Sequence, residues 1–164
     1  MIVSLGPRPQ ASAYERALHR ADGTGLLPVA LGPVVSVASR REDYYRASDF
    51  DELHPALRFF DDERWRPLFT EMPIYEFVST RVDEGARVLA RLNDLDKSPL
   101  LVERAYDRGK VFVWTTTISP EWTLLPEWPP SLIPLVHELV RAAAVEADEA
   151  RNLVARESLT VELD

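Results

Sequence analysis

Cysteine is missing altogether from the 164 residues. Its absence removes thiolate nucleophiles, disulfide frameworks and sulfur-built zinc sites together, while leaving the compartment open because exported chains also lack it. Glycine is scarce, six in all, and none stands in a phosphate-cradling GxGxxG or P-loop pattern or in a Gly-x-Ser-x-Gly elbow. No apolar run approaches the ~20 residues that span a bilayer, and nothing after Met1 has the basic and then apolar order of a leader. The chain therefore reads as soluble, with no membrane insertion of its own. Positive charge is also short: 19 Lys and Arg face 27 Asp and Glu, a formal net charge of -8. Such a surface repels a phosphate backbone, and the densest cationic run, Arg40-Arg41 with Arg46, is broken by Glu42 and Asp43. Nucleic acid is excluded as a partner on this ground.

What is present is enough for one domain, since a chain of this length buries about two thirds of its unfolded surface. The stretch from Ser98 to Ala144 organises the rest. Pro99 to Tyr106 and Val111 to Thr117 are rich in β-branched and aromatic residues and flank Asp107-Arg108-Gly109-Lys110, which predicts a β-hairpin. A connector from Ile118 to Pro130 follows, holding Trp122, Trp128 and four prolines, too many for regular structure. From Ser131 onward Leu132, Val136, Leu139, Val140 and Ala143 recur at three- and four-residue spacing, which predicts a long amphipathic helix with that stripe inward, Glu138 and Arg141 opposite, and Pro134 in the first turn.

Upstream, Ile2 to Leu5 reads as a short strand and Ser12 caps a helix to His19, with Glu15 completing the capping box. Leu26 to Val37, punctuated by Pro28, Gly32 and Pro33, is extended. Residues 40–51 read as a surface loop, and Asp61 or Asp62 caps a short turn that carries Trp65 and Leu68 inward. Ile74 to Val82 and Arg87 to Leu92 alternate as strands, the second with Val88, Ala90 and Leu92 on one face. Both ends read as cut: residues 1–155 form a single α/β domain expected to belong to a longer protein, and 156–164 a tail or the start of a following β domain.

Candidate chemistry is thin. His19, His54 and His137 stand at no metal-ligand spacing, and Asp61-Asp62-Glu63 lacks the geometry of a calcium loop, so neither a metal nor a cofactor is expected. His54, preceded by Asp49, Asp51 and Glu52, is the best candidate for a His and carboxylate site; the alternative is a solvated acidic loop. His137 stands at the edge of the helical stripe. Trp122 and Trp128 would line a carbohydrate or peptide groove, or else anchor the connector to the core.

The runs Gly25-Leu26-Leu27-Pro28, His54-Pro55-Ala56-Leu57, Ser98-Pro99-Leu100-Leu101-Val102-Glu103, Thr115-Thr116-Thr117, Glu121-Trp122-Thr123-Leu124-Leu125-Pro126 and Leu135-Val136-His137-Glu138-Leu139 resemble the class I glutamine amidotransferase-like domain of large membrane-anchored bacterial proteins. Those proteins, common in planctomycetes, also carry an aerotolerance-regulator-type membrane segment and a von Willebrand factor type A domain. The resemblance implies an α/β, flavodoxin-like three-layer unit, here partial, with a mixed sheet, a β-hairpin and a long C-terminal amphipathic helix; the alternative is α+β. It implies no glutaminase activity, because the family's nucleophile is a Cys and its His-Pro-Glu corresponds here to Ser119-Pro120-Glu121. The expected function is a non-catalytic interaction or scaffolding module of a larger envelope-associated protein, not an enzyme, with Trp122, Trp128, Glu121, His137 and His54 as ligand or interface residues. Its partner is expected to be the remainder of the parent chain, another protein, or a second copy through an open sheet edge. A small-molecule or carbohydrate-binding domain, or a hydrolase using His54 with Asp51 or Glu52, is the alternative.

Overall fold

A computed structural model describes residues 1–4, 17–20, 24–39, 43–107 and 109–149. The chain is an α/β fold built on a five-stranded mixed sheet in the order β1-β7-β6-β5-β3. Its strands are β1 (Ile2–Ser4), β3 (Ala47–Phe50), β5 (Arg87–Leu92), β6 (Pro99–Tyr106) and β7 (Gly109–Trp114). A separate antiparallel pair, β2 (Val29–Ser36) with β4 (Glu76–Val82), lies on one face of it. The other face carries α1 (Arg66–Thr70) and the long helix α2 (Pro129–Glu149).

The predicted hairpin is the centre of the sheet. In β6 and β7 successive side chains point to opposite faces, so Leu101, Phe112 and Trp114 join the core under α2 while Val102, Val111 and Val113 join a second core under β2 and β4. The turn is tighter than the sequence suggests: the ladder runs to the Tyr106 and Gly109 pair, and Asp107 adopts a φ of 53°, a left-handed conformation that Asp tolerates. The α2-side core is aromatic, with Phe69 5.1 Å from Phe60 and 6.3 Å from Trp114 between ring centroids. Leu27, Val29, Val78 and Trp122 complete the second core.

The sheet is mixed, as expected: among the described residues β1 with β7 is the one parallel pair and the other pairs are antiparallel, and the layers run β, β, α. Several other expectations are corrected. Residues 40–51, read as a loop, contain β3, which forms because its backbone completes β5. Val88 and Ala90 do not share a face: a bulge between them shifts the register, placing Val88 opposite Val102 and Ala90 opposite Leu101. In α1 the buried side chain is Phe69, whereas Trp65 and Leu68 are half-buried, and Trp65 rather than an aspartate precedes the helix. Asp62 instead accepts a hydrogen bond from the Arg64 amide, 2.8 Å. Helix α2 begins two residues before Ser131, so Pro134 lies inside it. Its buried stripe is Ser131, Leu135, Leu139 and Ala142, with Leu132 and Ala143 half-buried; Val136 and Val140, expected inward, are exposed. The Ser131 hydroxyl donates to the Leu68 carbonyl at 2.6 Å, tying the start of α2 to α1. The expected helix from Ser12 falls outside the described residues except for its end at Ala17 and Leu18, and so does the expected strand at 158–163.

Candidate functional site

Alternation along β6 sends Glu103 and Arg104, both buried, to opposite faces of the sheet. Each meets a histidine-bearing charge cluster.

On the α2 side, Nε2 of His54 lies 3.0 Å from Oε2 of Glu103, and Nζ of Lys110 lies 3.7 Å from the same oxygen. The His54 and Glu103 side chains are 3% and 10% exposed. The Ala56 amide donates to Nδ1 of His54 at 3.2 Å, which leaves Nε2 as the ring nitrogen facing the carboxylate. The approach is close but poorly aligned, and neither Nε2 nor Oε2 completes a directional hydrogen bond. Burial pushes the Glu103 carboxyl up, but the His54 side-chain contact, with the charges of His54, Lys110 and Arg87, outweighs it and holds the group below its ordinary value. The turn that carries His54 is fixed by its carbonyl, which accepts the amides of Leu57 and Arg58, and the ring packs edge-on to Phe112 at 6.3 Å.

On the β2–β4 side, Asp83 takes Nε2 of His19 at 3.1 and 3.2 Å and lies 3.9 Å from Nη1 of Arg104. Nη2 of Arg104 donates to the carbonyls of Gly25 and Leu27, while Nη1 has no hydrogen-bond partner. The guanidinium thus pins residues 25–27 over the second core.

The carboxylates expected around His54 do not converge on it. Asp51 pairs with Arg87, Glu52 pairs with Arg66, and Asp49 is exposed. His137 is 71% exposed and contacts only its neighbour Glu138, at 3.1 Å. Trp122 is buried in the second core, so its ring offers no stacking face; its carbonyl accepts the Tyr75 amide at 2.7 Å. Trp128 is partly exposed and Glu121 exposed. Around Ser119 the geometry is that of a turn: its carbonyl accepts the amides of Trp122 and Thr123. Sequence reasoning missed Glu103, Arg104, Lys110 and Asp83. The signal was an opposite-charge pair in the middle of an otherwise apolar strand, where a charge is tolerated only with a partner on each face.

Two grooves flank α2. One, about 180 Å³, is lined by Pro55, Arg58, Glu138, Arg141 and Ala142. The other, about 50 Å³, is apolar, between Ile118 and Leu125 on the connector and Leu132, Leu135, Val136 and Leu139 on the helix, with Trp114 as its floor. Ile133 and Val140, 67% and 53% exposed, extend the apolar surface along α2. Among the described residues no group of three or more His, Asp or Glu side chains is placed to hold a metal, and no helix is long and apolar enough to cross a membrane.

No family model matches the chain, and no curated protein matches it. Among solved structures it is similar to Cytoplasmic Protein STM3548 from Salmonella typhimurium, with 19% identity and a TM-score of 0.44 over 68% of this chain and 43% of that one. It is also similar to Cytoplasmic Protein STM1381 from Salmonella typhimurium LT2, with 18% identity and a TM-score of 0.45 over 82% of this chain and 44% of that one. The chain spans less than half the length of either.

Proposed function

We infer that the chain is a non-catalytic interaction or scaffolding module of a larger, envelope-associated bacterial protein. The observation that carries this reading is a separation: the His54 and Glu103 pair is buried and lines neither groove beside α2, whereas the groove beside Ile118 and Val136 is apolar and holds no titratable group. A His and carboxylate pair works as an acid and base only where a substrate reaches it. His54 meets Glu103 beneath the helical layer instead of opening on either groove. An apolar surface beside a core is the common mark of a protein contact. The envelope-associated parent rests on the resemblance carried by Ser98 to Val140.

The test is an activity screen of the purified chain against glutamine and simple esters, with His54→Gln alongside. The expected result is hydrolysis no faster than the blank for both proteins. Turnover that the substitution abolishes would overturn the reading in favour of a hydrolase. A saturable change of tryptophan emission on titration with a glycan panel would favour a carbohydrate site at Trp128.

A further inference from the structure

The groove between the His54 turn and α2 is cationic on a chain of net charge -8. Arg58 lines it from the turn and Arg141 from the helix, with Pro55 and Ala142 as apolar lining and Glu138 as the one carboxylate. Both walls are fixed. The His54 carbonyl accepts the Leu57 and Arg58 amides, each at 2.9 Å, and Ala56 and Leu57 beside them are fully buried. On α2, Leu139 and Ala142 are seated in the core, which sets the rotation of the helix and with it the row that carries Glu138 and Arg141. The Glu138 carboxylate is already engaged, 3.1 Å from Nδ1 of His137 and 3.7 Å from Nη1 of Arg141, with its side chain 15% exposed. Arg58 is different. It is exposed and has no hydrogen-bond or ion-pair partner among the described residues, whereas Arg46, Arg66, Arg87 and Arg104 are each paired.

We propose that this groove binds the phosphate group of a small ligand, held by Arg58 from the turn and by Arg141 from the helix. Size comes first. A volume of about 180 Å³ is below the roughly 300–1,000 Å³ that encloses a drug-sized ligand, so the groove takes one compact group and leaves the rest of the ligand outside. Charge and valence select the group. A guanidinium fork pairs with two oxygens of an oxyanion; one fork satisfies a carboxylate, whereas a phosphate has oxygens and charge for two. Glu138 stands one turn before Arg141 and steadies its guanidinium across the i,i+3 spacing. The same carboxylate, with the negative charge of the whole chain, opposes a polyphosphate backbone, so the ligand is a small molecule and not a nucleic acid. The site calls for no catalytic group, and it goes beyond the interaction module without depending on it.

The probe is inorganic phosphate, added to the full chain near neutral pH and followed by amide NMR shifts, with sodium chloride at matched ionic strength as the reference. The amides of Ala56, Arg58, Arg141 and Ala142 are expected to shift together and to saturate by about 20 mM phosphate, as a millimolar site does. Arg58→Gln and Arg141→Gln, both at exposed positions, are each expected to weaken binding about fivefold or more with an unchanged melting temperature. Arg58→Lys keeps the charge without the fork and is expected to weaken it less than Arg58→Gln does. Arg81→Gln, at an exposed arginine of β4 outside the groove, is expected to leave binding unchanged. Shifts that rise linearly with phosphate, or that chloride reproduces, report an anion atmosphere only and overturn the proposal. Saturable binding that survives Arg58→Gln or Arg141→Gln overturns it as well, as does equal loss with Arg81→Gln. Saturation of the same amides by glutarate and not by phosphate overturns the phosphate assignment in favour of a carboxylate. Hydrolysis lost with His54→Gln removes the interaction module and leaves this site standing, so the two fail separately.

Discussion

Glu103 is surrounded by groups that prefer it ionised, and its stability contribution has a sign that follows. Its folded pKa lies below the ordinary value of 4.5, so in acid the unfolded chain binds the proton more readily than the folded one. The stabilisation is therefore complete above about pH 5.5 and is lost as pH falls through the folded pKa. Urea midpoints measured from about pH 6 down to about pH 3 are expected to fall more steeply for the wild type than for Glu103→Gln. Truncating one partner leaves the other charge or proton buried, so Glu103→Ala is expected to cost about 2–4 kcal/mol. The double change His54→Leu with Glu103→Leu is expected to cost less than the sum of the single changes, because it leaves neither group unpaired. Denaturant titration of the four proteins measures that difference directly. On the opposite face Arg104→Ala leaves Asp83 with His19 alone and removes the donor to the buried Gly25 and Leu27 carbonyls, with a similar expected loss. None of these partnerships was legible from the sequence. His54 and Glu103 are 49 positions apart, and the nearby acids Asp51 and Glu52 offered a simpler pairing that arginines Arg87 and Arg66 in fact take.

At the scale of elements, β4 and β5 were readable from their alternation, and the hairpin, apolar on both faces, from β-branched and aromatic runs on either side of a Gly-containing turn. β3 was not, since Ala47-Ser48-Asp49-Phe50 has no apolar run and becomes a strand through the ladder with β5 and the bridge between Tyr45 and Ile74. The facing of α2 was misjudged for a related reason. Val136 and Val140 fit an inward stripe as well as Leu135 does, and only the placement of β7 and the connector decides which row is covered. Gly25 marks a junction that spacing alone hides. A Cβ there would stand 2.4 Å from the Arg20 amide nitrogen and 2.7 Å from the Leu18 carbonyl, both backbone atoms that cannot rotate away. Gly25→Ala is expected to destabilise by about 2 kcal/mol or more, read as a lower urea midpoint with an unchanged slope. At Gly32 the nearest obstacles are the Ser79 hydroxyl, 2.3 Å from the added atom, and the Ser79 carbonyl at 3.0 Å, so Gly32→Ala is expected to be harmful and only partly relieved by Ser79→Ala.

For the whole molecule, one side of the sheet is filled and the other ends at β1. The segment from His54 through α1 covers the helical face over β5 and β6, and no described element does the same beyond β1. The α/β class could be anticipated from the apolar segments; which layer holds which element could not, because a sequence does not state the order in which strands lie side by side. The adjacent charges of β6 bear on how the layers come together at all. Were that strand to slip by one position against β7, Glu103 would turn toward Asp83 and Arg104 toward Lys110, each facing its own sign inside a closing core. The pair acts as a key with a polarity: a hairpin in the wrong register sets like charges against each other in both layers at once, so the charges of one strand fix how both layers close.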